Sequence, residues 1–279
     1  MLKVRVISAL VMVLLLLAAL FYFPRWGWGA FSALIALAAC WEWHRLCGFS
    51  KKQALVFLVL SVLLTLGMLA LYLFAAQPQW IQRVAQGLFV AASAFWLVGA
   101  PLWLKFAWRP HPALSGAVGW LVIFPAWAAL LLIRDISPWL LLSILPIVWI
   151  ADIAAYFSGR RFGKNKLAPS VSPGKTWEGV VGGLLGVMLY FFVWFLTIRH
   201  FGAPWAYELL LFGAWVPLIF LLLGAVSVLG DLFESWMKRG AGVKDSSNLL
   251  PGHGGVLDRI DAMTATLPLA ALFLFVLPK

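Results

Sequence analysis

The sequence predicts an all-α fold: a polytopic integral membrane helical bundle of about nine transmembrane helices with a cytosolic N-terminus. Three observations lead there. First, 64% of the 279 residues are hydrophobic and only 11% are charged, with a mean hydropathy of +0.98. A soluble domain is nearer half apolar, so the solvent for most of this surface is lipid. Second, apolar stretches recur at the ~20-residue length that a bilayer core demands. Third, the basic residues divide unevenly between alternate connections.

Taken in order, the spans are 6–23, 27–43, 54–76, 84–104, 114–133, 137–157, 178–198, 206–230 and 258–277. The first has a basic start and a long apolar run, as a secretory leader has. It lacks a small-x-small cleavage site and ends in "FYFPRW", so it is read as an uncleaved span. Pro125 and Pro146 interrupt later spans, which membranes tolerate where neighbouring helices re-satisfy the backbone. Trp26, Trp28, Trp80, Trp139 and Trp205 sit near span ends, as interfacial anchors do.

With the N-terminus inside, 16 Lys and Arg fall on inner segments and 5 (Arg25, Arg83, Arg134, Arg199 and Lys279) on outer ones. That bias sets the orientation and puts the C-terminus outside. It also accounts for the net charge of +11 without a nucleic-acid partner, since no basic run is interleaved with aromatics in a polar setting. Cys40 and Cys47 are too sparse for a disulfide framework or a zinc site and read as packing residues. With no internal repeat or low-complexity tail, the chain reads as a single integral membrane domain (1–279). Its N-terminal spans occupy 1–135 and its C-terminal spans 136–279. The latter carry two long polar inner loops, 158–177 and 231–257, where chemistry is expected.

In the segment "GDLFESWMKRGAGVKDSSNLLPGHGGVLDRID", Asp231, Glu234, Ser235 and Lys238 fall at i, i+3, i+4 and i+7. They share one face if the eighth span continues as a helix. Lys238, Arg239 and Lys244 add cations. A turn holding His253, Gly254 and Gly255 leads to Asp258 and Asp261 on one face of the next helix. Carboxylates of this kind hold Mg²⁺, and metal with Lys and Arg neutralises phosphates. A solvated loop with helix-end ion pairs is the plainer account, and Asp258 near a helix start gains ~0.3–1 kcal/mol from the dipole alone. That account leaves the glycines unexplained, since closely spaced glycines let a backbone approach a ligand.

The other loop, "DIAAYFSGRRFGKNKLAPSVSPGKTWEG", opens with Asp152, a carboxylate inside an apolar run and therefore a functional candidate. Arg160, Arg161, Lys164 and Lys166 form a basic strip, which orientation and anionic-lipid contact would also explain. Its "GKT" is not a phosphate-binding loop of the Walker type, because Pro169 stands where that motif needs glycine. His44, His111 and His200 stand alone near span ends, and Glu42, between Trp41 and Trp43, has no assigned role.

Residues 235–261 resemble the signature of the phosphatidate cytidylyltransferases, or CDP-diacylglycerol synthases. The stretch reads Ser235, Met237, Lys238-Arg239, Lys244-Asp245, Ser247, Leu250-Pro251, His253-Gly254-Gly255-Val256 and Asp258-Arg259-Ile260-Asp261, with no departure over 27 positions. Residues 152–179 and "WEW" at 41–43 are similar to bacterial members. The resemblance implies transfer of the cytidylyl group of CTP to phosphatidate in phospholipid biosynthesis, giving CDP-diacylglycerol and pyrophosphate. It also implies Mg²⁺ (with a second cation as an open question), a homodimer, and a bacterial inner membrane with the active site facing the cytosol.

On that basis Asp231, Asp258 and Asp261 are assigned to metal. Lys238, Arg239, Lys244 and Lys175 are assigned to the triphosphate and leaving pyrophosphate, and Arg160 and Arg161 to the phosphatidate head group. His253, Gly254 and Gly255 are placed close to phosphate, with His253 as a donor, and Ser235 and Asp152 complete the substrate site. Two rivals remain. A CTP-dependent kinase of a polyprenol or similar lipid would need a base for a hydroxyl. A transporter of an anionic solute would spread charge at mid-depth, whereas here it crowds at one face.

Overall fold

Helix boundaries follow side-chain chemistry that the chain carries locally. Ser50 and Gln53 form a reciprocal capping box at the start of α3 (Lys51–Phe74). Ser137 ends α6 (Pro112–Ile136) and its hydroxyl caps α7 (Pro138–Phe162). Thr176 caps α8 (Trp177–Phe201), accepting from the Gly179 N–H at 3.1 Å. The computed structural model describes residues 2–75 and 79–277, without the side chains of residues 2–5 and 208. Lys3, Arg5 and Lys279 of the charge count, and the last residue of the 54–76 span, thus lie outside what is described. The remaining helices are α1 (Leu2–Tyr22), α2 (Arg25–Leu46), α4 (Gln79–Ala94), α5 (Ala100–Lys105), a short α9 (Tyr207–Leu210), α10 (Val216–Gly240) and α11 (Leu257–Phe275). A π-helical turn, Phe95–Gly99, joins α4 to α5 in one continuous run.

The all-α expectation holds, and the chain is a multi-pass membrane protein. Six helical runs among the described residues are long and apolar enough to cross a bilayer: Lys51–Phe74, Gln79–Lys105, Pro112–Ile136, Pro138–Phe162, Trp177–Phe201 and Gly213–Gly240. The other three expected spans form helices that fall short by length or composition. The described apolar part of α1 is only Val6–Tyr22. Glycines, tryptophans and Glu42 dilute α2, and α11 opens with Asp258, Arg259 and Asp261. Much of α2 and α11 is buried against other helices, so their polar groups meet protein.

Helix directions nevertheless alternate as the charge count assumes. The start of α1 lies beside the loop after α10, where Ser8 Oγ donates to the Pro251 carbonyl at 3.1 Å. Its end lies beside the end of α6, where Arg134 donates to the carbonyls of Leu20 and Phe23 at 3.3 and 2.6 Å. At that same far end Arg25, opening α2, sits 3.2 Å from Asp135, and Tyr72 near the end of α3 donates to Asp135 at 2.7 Å.

One departure from an all-helical reading is a two-stranded antiparallel hairpin in the first long loop. Its strands are β1 (Lys166–Ala168) and β2 (Ser172–Thr176), with Lys166 opposite Thr176 and Ala168 opposite Ser172. The Glu178 carboxylate fastens its base, accepting from the Asn165 backbone N–H at 3.1 Å and side-chain amide at 2.7 Å.

The hairpin is carried by α7 and α8, which pack through small residues. Small side chains let membrane helices approach backbone to backbone. A Cβ on Gly183 would lie 2.9 Å from the Ala151 carbonyl, and one on Gly186 2.6 Å from Ala154 Cβ. Gly183→Val is therefore expected to destabilise the protein by ~1–3 kcal/mol through overpacking. Thermal unfolding in detergent checks this, and an unchanged midpoint would show that α8 is free to move away from α7.

Candidate active site

The C-terminal half of α10 presents the expected charged face. Ser235 Oγ donates to Asp231 Oδ1 at 3.2 Å. The buried Lys238 ammonium lies 2.5 Å from Glu234 Oε2 and 2.5 Å from Asp258 Oδ1, bridging α10 to the first turn of α11. The other Asp258 oxygen accepts from the backbone N–H groups of Ser246 and Gly255 at 2.9 and 2.8 Å, and lies 2.9 Å from Ser246 Oγ. Asp258 is thus the knot of this segment, with both oxygens engaged by protein.

The two expected loops converge. Lys175 on β2 lies 2.6 Å from Asp231 Oδ2, joining the hairpin to α10. Asp152 on α7 is within electrostatic reach of Asp231, Asp261, Lys175 and Arg259, without a direct ion pair. Lys238 and Arg239, the nearby cations of the other loop, are engaged elsewhere: Lys238 with Glu234 and Asp258, Arg239 with the Val243 carbonyl at 2.9 Å. Asp261 accepts at Oδ1 from the adjacent Ala262 N–H at 2.8 Å and faces Asp231, Asp152 and Glu234 electrostatically.

Asp231, Asp258 and Asp261 do not sit together as three ligands. Among the described residues no group of three or more His, Cys, Asp or Glu side chains is placed to hold a metal ion. The physical reason is that Asp258 is held by three N–H donors, from the Lys238 ammonium and the Ser246 and Gly255 backbones. Asp231 and Asp261, with Asp152 beside them, remain a concentration of hard oxygen donors, the donor type that Mg²⁺ takes.

The glycines have a different use from the one their spacing implied. Gly252 and Gly254 adopt φ of +75° and +77°, which side chains with a Cβ rarely take. A Cβ on Gly254 would lie 2.8 Å from Asp258 Oδ2, and one on Gly255 would strike Ser246 Oγ and lie 2.5 Å from Glu42 Oε1. The close approach at Gly254 and Gly255 is to the protein's own carboxylates. His253 turns its Nδ1 to Ser8 Oγ on α1 at 2.9 Å.

Lys244 is exposed at the loop tip with no hydrogen bond or ion pair among the described residues. Arg160 and Arg161 are exposed beyond the α7 face, the first 3.4 Å from Tyr156 Oη and the second over the Phe162 ring.

Glu42, which had no assigned role, is a central residue here. It is fully buried and holds Ser246, Ser247, Val256 and Leu257. The one signal in the sequence was a lone carboxylate at the end of an apolar run.

A membrane bundle that gathers Lys175 and Lys238 with Asp152, Asp231, Glu234, Asp258 and Asp261 at one end, with the hairpin beside it, holds the charged groups that phosphoanion chemistry at a lipid boundary needs. The chain belongs to the cytidylyltransferase family, whose model matches residues 3–277. It is 38% identical to a phosphatidate cytidylyltransferase of Pseudomonas aeruginosa, covering 99% of this chain and 97% of the relative. The same identity holds with a phosphatidate cytidylyltransferase of Haemophilus influenzae over 99% of each. One of Brucella suis is 36% identical over 98% of this chain and 93% of its own.

Proposed function

We propose that the chain transfers the cytidylyl group of CTP to phosphatidate, releasing pyrophosphate and leaving CDP-diacylglycerol in the membrane. What carries the proposal is the 38% identity to phosphatidate cytidylyltransferases over nearly the full length of both chains, and the convergence of Lys175, Lys238, Asp231, Asp258 and Asp261 supports it. A phosphate oxygen of phosphatidate attacks the α-phosphorus of CTP in line, forming the new P–O bond as the bond to pyrophosphate breaks. The lipid phosphate is itself the nucleophile, so no covalent enzyme intermediate is needed. Two anions must meet, and the protein's task is charge neutralisation and alignment.

Lys175 and Lys244 approach the triphosphate from the hairpin and the loop tip. Lys238 stays with Asp258 and Glu234 and contributes its charge from within the wall of the site. Arg160 and Arg161, at the lipid-facing edge beside exposed Phe157 and Phe162, receive the phosphatidate head group. Asp231 and Asp261 would hold Mg²⁺, which when bound neutralises phosphate charge. We place the site on the cytosolic side of a bacterial inner membrane and take the working unit to be a homodimer.

The test is purified protein in detergent with CTP labelled at the α- or the γ-phosphate, phosphatidate and Mg²⁺. The α-label is expected in the lipid product. Transfer of the γ-label to a lipid would make the chain a CTP-dependent lipid kinase instead, and no lipid labelling would overturn the proposal.

Sidedness is checked with a cysteine at Asn248, which is exposed, whereas its neighbours Ser246 and Ser247 are buried. Burial pushes the native Cys47 thiol up to about 12, which removes it as a competing thiolate. Asn248→Cys is expected to label with an impermeant maleimide only in inverted vesicles, and labelling of intact spheroplasts would reverse the orientation.

A further inference from the structure

A helix N-terminus preceded by a glycine turn is a ready anion site, because its first N–H groups point outward unpaired. In a protein that handles phosphoanions, the start of α11 looks like the place for one. It is already filled. Oε1 of Glu42 lies 2.9 Å from the Val256 nitrogen and Oε2 lies 2.6 Å from that of Leu257. The same two oxygens lie 2.6 Å from Ser247 Oγ and 3.0 Å from Ser246 Oγ. An ionised carboxylate has about four lone-pair sites, and four donors face these two oxygens. Glu42 is 0% exposed, so water replaces none of them.

We infer that Glu42 is a positioning residue: a resident anion that closes the α11 N-terminus to substrate phosphate and, through Ser246, sets the Asp258–Lys238 pair. This rests on the activity proposed above. The linkage is direct. Ser246 Oγ stands between two carboxylates, 3.0 Å from Glu42 and 2.9 Å from Asp258, while the Ser246 N–H holds Asp258 at 2.9 Å. Asp258 in turn places Lys238 at 2.5 Å. Gly255 is required because a Cβ there would displace Ser246 and Glu42 together. Lys244 and Lys175 are not held by Glu42, so their reach toward a nucleotide does not depend on it.

Glu42→Gln keeps the shape and removes the fit. Whichever way the amide is turned, its NH₂ faces a backbone N–H, of Val256 or of Leu257, and two donors oppose each other. The kcat for CDP-diacylglycerol formation is expected to fall at least tenfold, with half-saturation for CTP and for phosphatidate within threefold of wild type. Amide hydrogen exchange at Ser246, Val256 and Leu257 is expected to quicken.

A tenfold rise in CTP half-saturation at unchanged kcat would overturn the inference, because Glu42 would then support nucleotide binding. Wild-type kinetics and exchange would overturn it as well. If Glu42→Gln fails to accumulate as folded protein, Ser247→Ala, which removes one donor and leaves the charge, is expected to show the same split at smaller amplitude. Its absence would count against the inference. Should wild-type protein make no CDP-diacylglycerol, the proposed activity fails by itself. The exchange measurement then decides whether Glu42 holds the loop.

Discussion

Lys238→Ala is expected to abolish turnover and to destabilise the protein by about 3–5 kcal/mol, the cost of leaving a buried charge without its partner. The ammonium sits between two carboxylates at 2.5 Å each, and side-chain exposure is 10% for Lys238, 3% for Glu234 and 5% for Asp258. Asp258 would keep its donors from Ser246 and Gly255. Glu234 would keep nothing, because apart from Lys238 its buried carboxylate oxygens have no polar partner among the described residues. Most of the loss is therefore assigned to Glu234, which gives a second reading of the same variant. Glu234→Gln in the Lys238→Ala background removes the orphaned charge and is expected to recover part of the stability and none of the activity. Unfolding in detergent measures the first effect and product formation the second. A Lys238→Ala protein within ~1 kcal/mol of wild type would show that water or a proton reaches Glu234, and that the triad is not structural.

The charged face of α10 was legible because helical periodicity fixes which residues share a face. Asp231, Glu234, Ser235 and Lys238 needed only the continuation of the helix to Gly240, which occurs. The meeting of the two loops followed from the resemblance, which implies one site for two anions and so puts Lys175 of one loop with Lys238, Arg239 and Lys244 of the other, and Lys175 does reach Asp231. The hairpin was not legible. Its strands span three and five residues, and they contain Pro173 and Gly174, which depress any strand pattern. The glycines were legible as points of close approach, but a sequence does not say what approaches. Here it is Asp258 and Glu42. Glu42 itself lies 204 residues from Ser246, so no local pattern links it to the loop it holds. The three spans that fall short of membrane length or hydropathy were read from apolar content alone. Burial of α2 and α11 inside the bundle makes their polar residues affordable without lipid contact.

Asp261→Asn is expected to separate stability from function. Among the described residues its side chain makes one hydrogen bond, from the neighbouring Ala262 N–H to Oδ1 at 2.8 Å, and an asparagine oxygen accepts that bond equally well. That bond is kept, in contrast to Asp258, where Asn would disturb three N–H donors. What Asn removes is a carboxyl whose ionised form would face Asp231, Asp152 and Glu234. In metal-free buffer the variant should therefore unfold at the same temperature as wild type or above it, because like charges packed together destabilise the fold that holds them. If Asp231 and Asp261 hold the cation that neutralises the phosphates, turnover should fall by at least ~100-fold, about 2.7 kcal/mol of barrier. Mg²⁺ is then expected to raise the melting temperature of wild type and to leave that of the variant unchanged. Such opposed signs are the mark of a site whose charges are kept for chemistry against the interest of the fold. Turnover within threefold of wild type would remove Asp261 from the cation site. A melting temperature well below wild type would mean that its charge supports the fold, with Lys238 or Arg259 as the partner that depends on it.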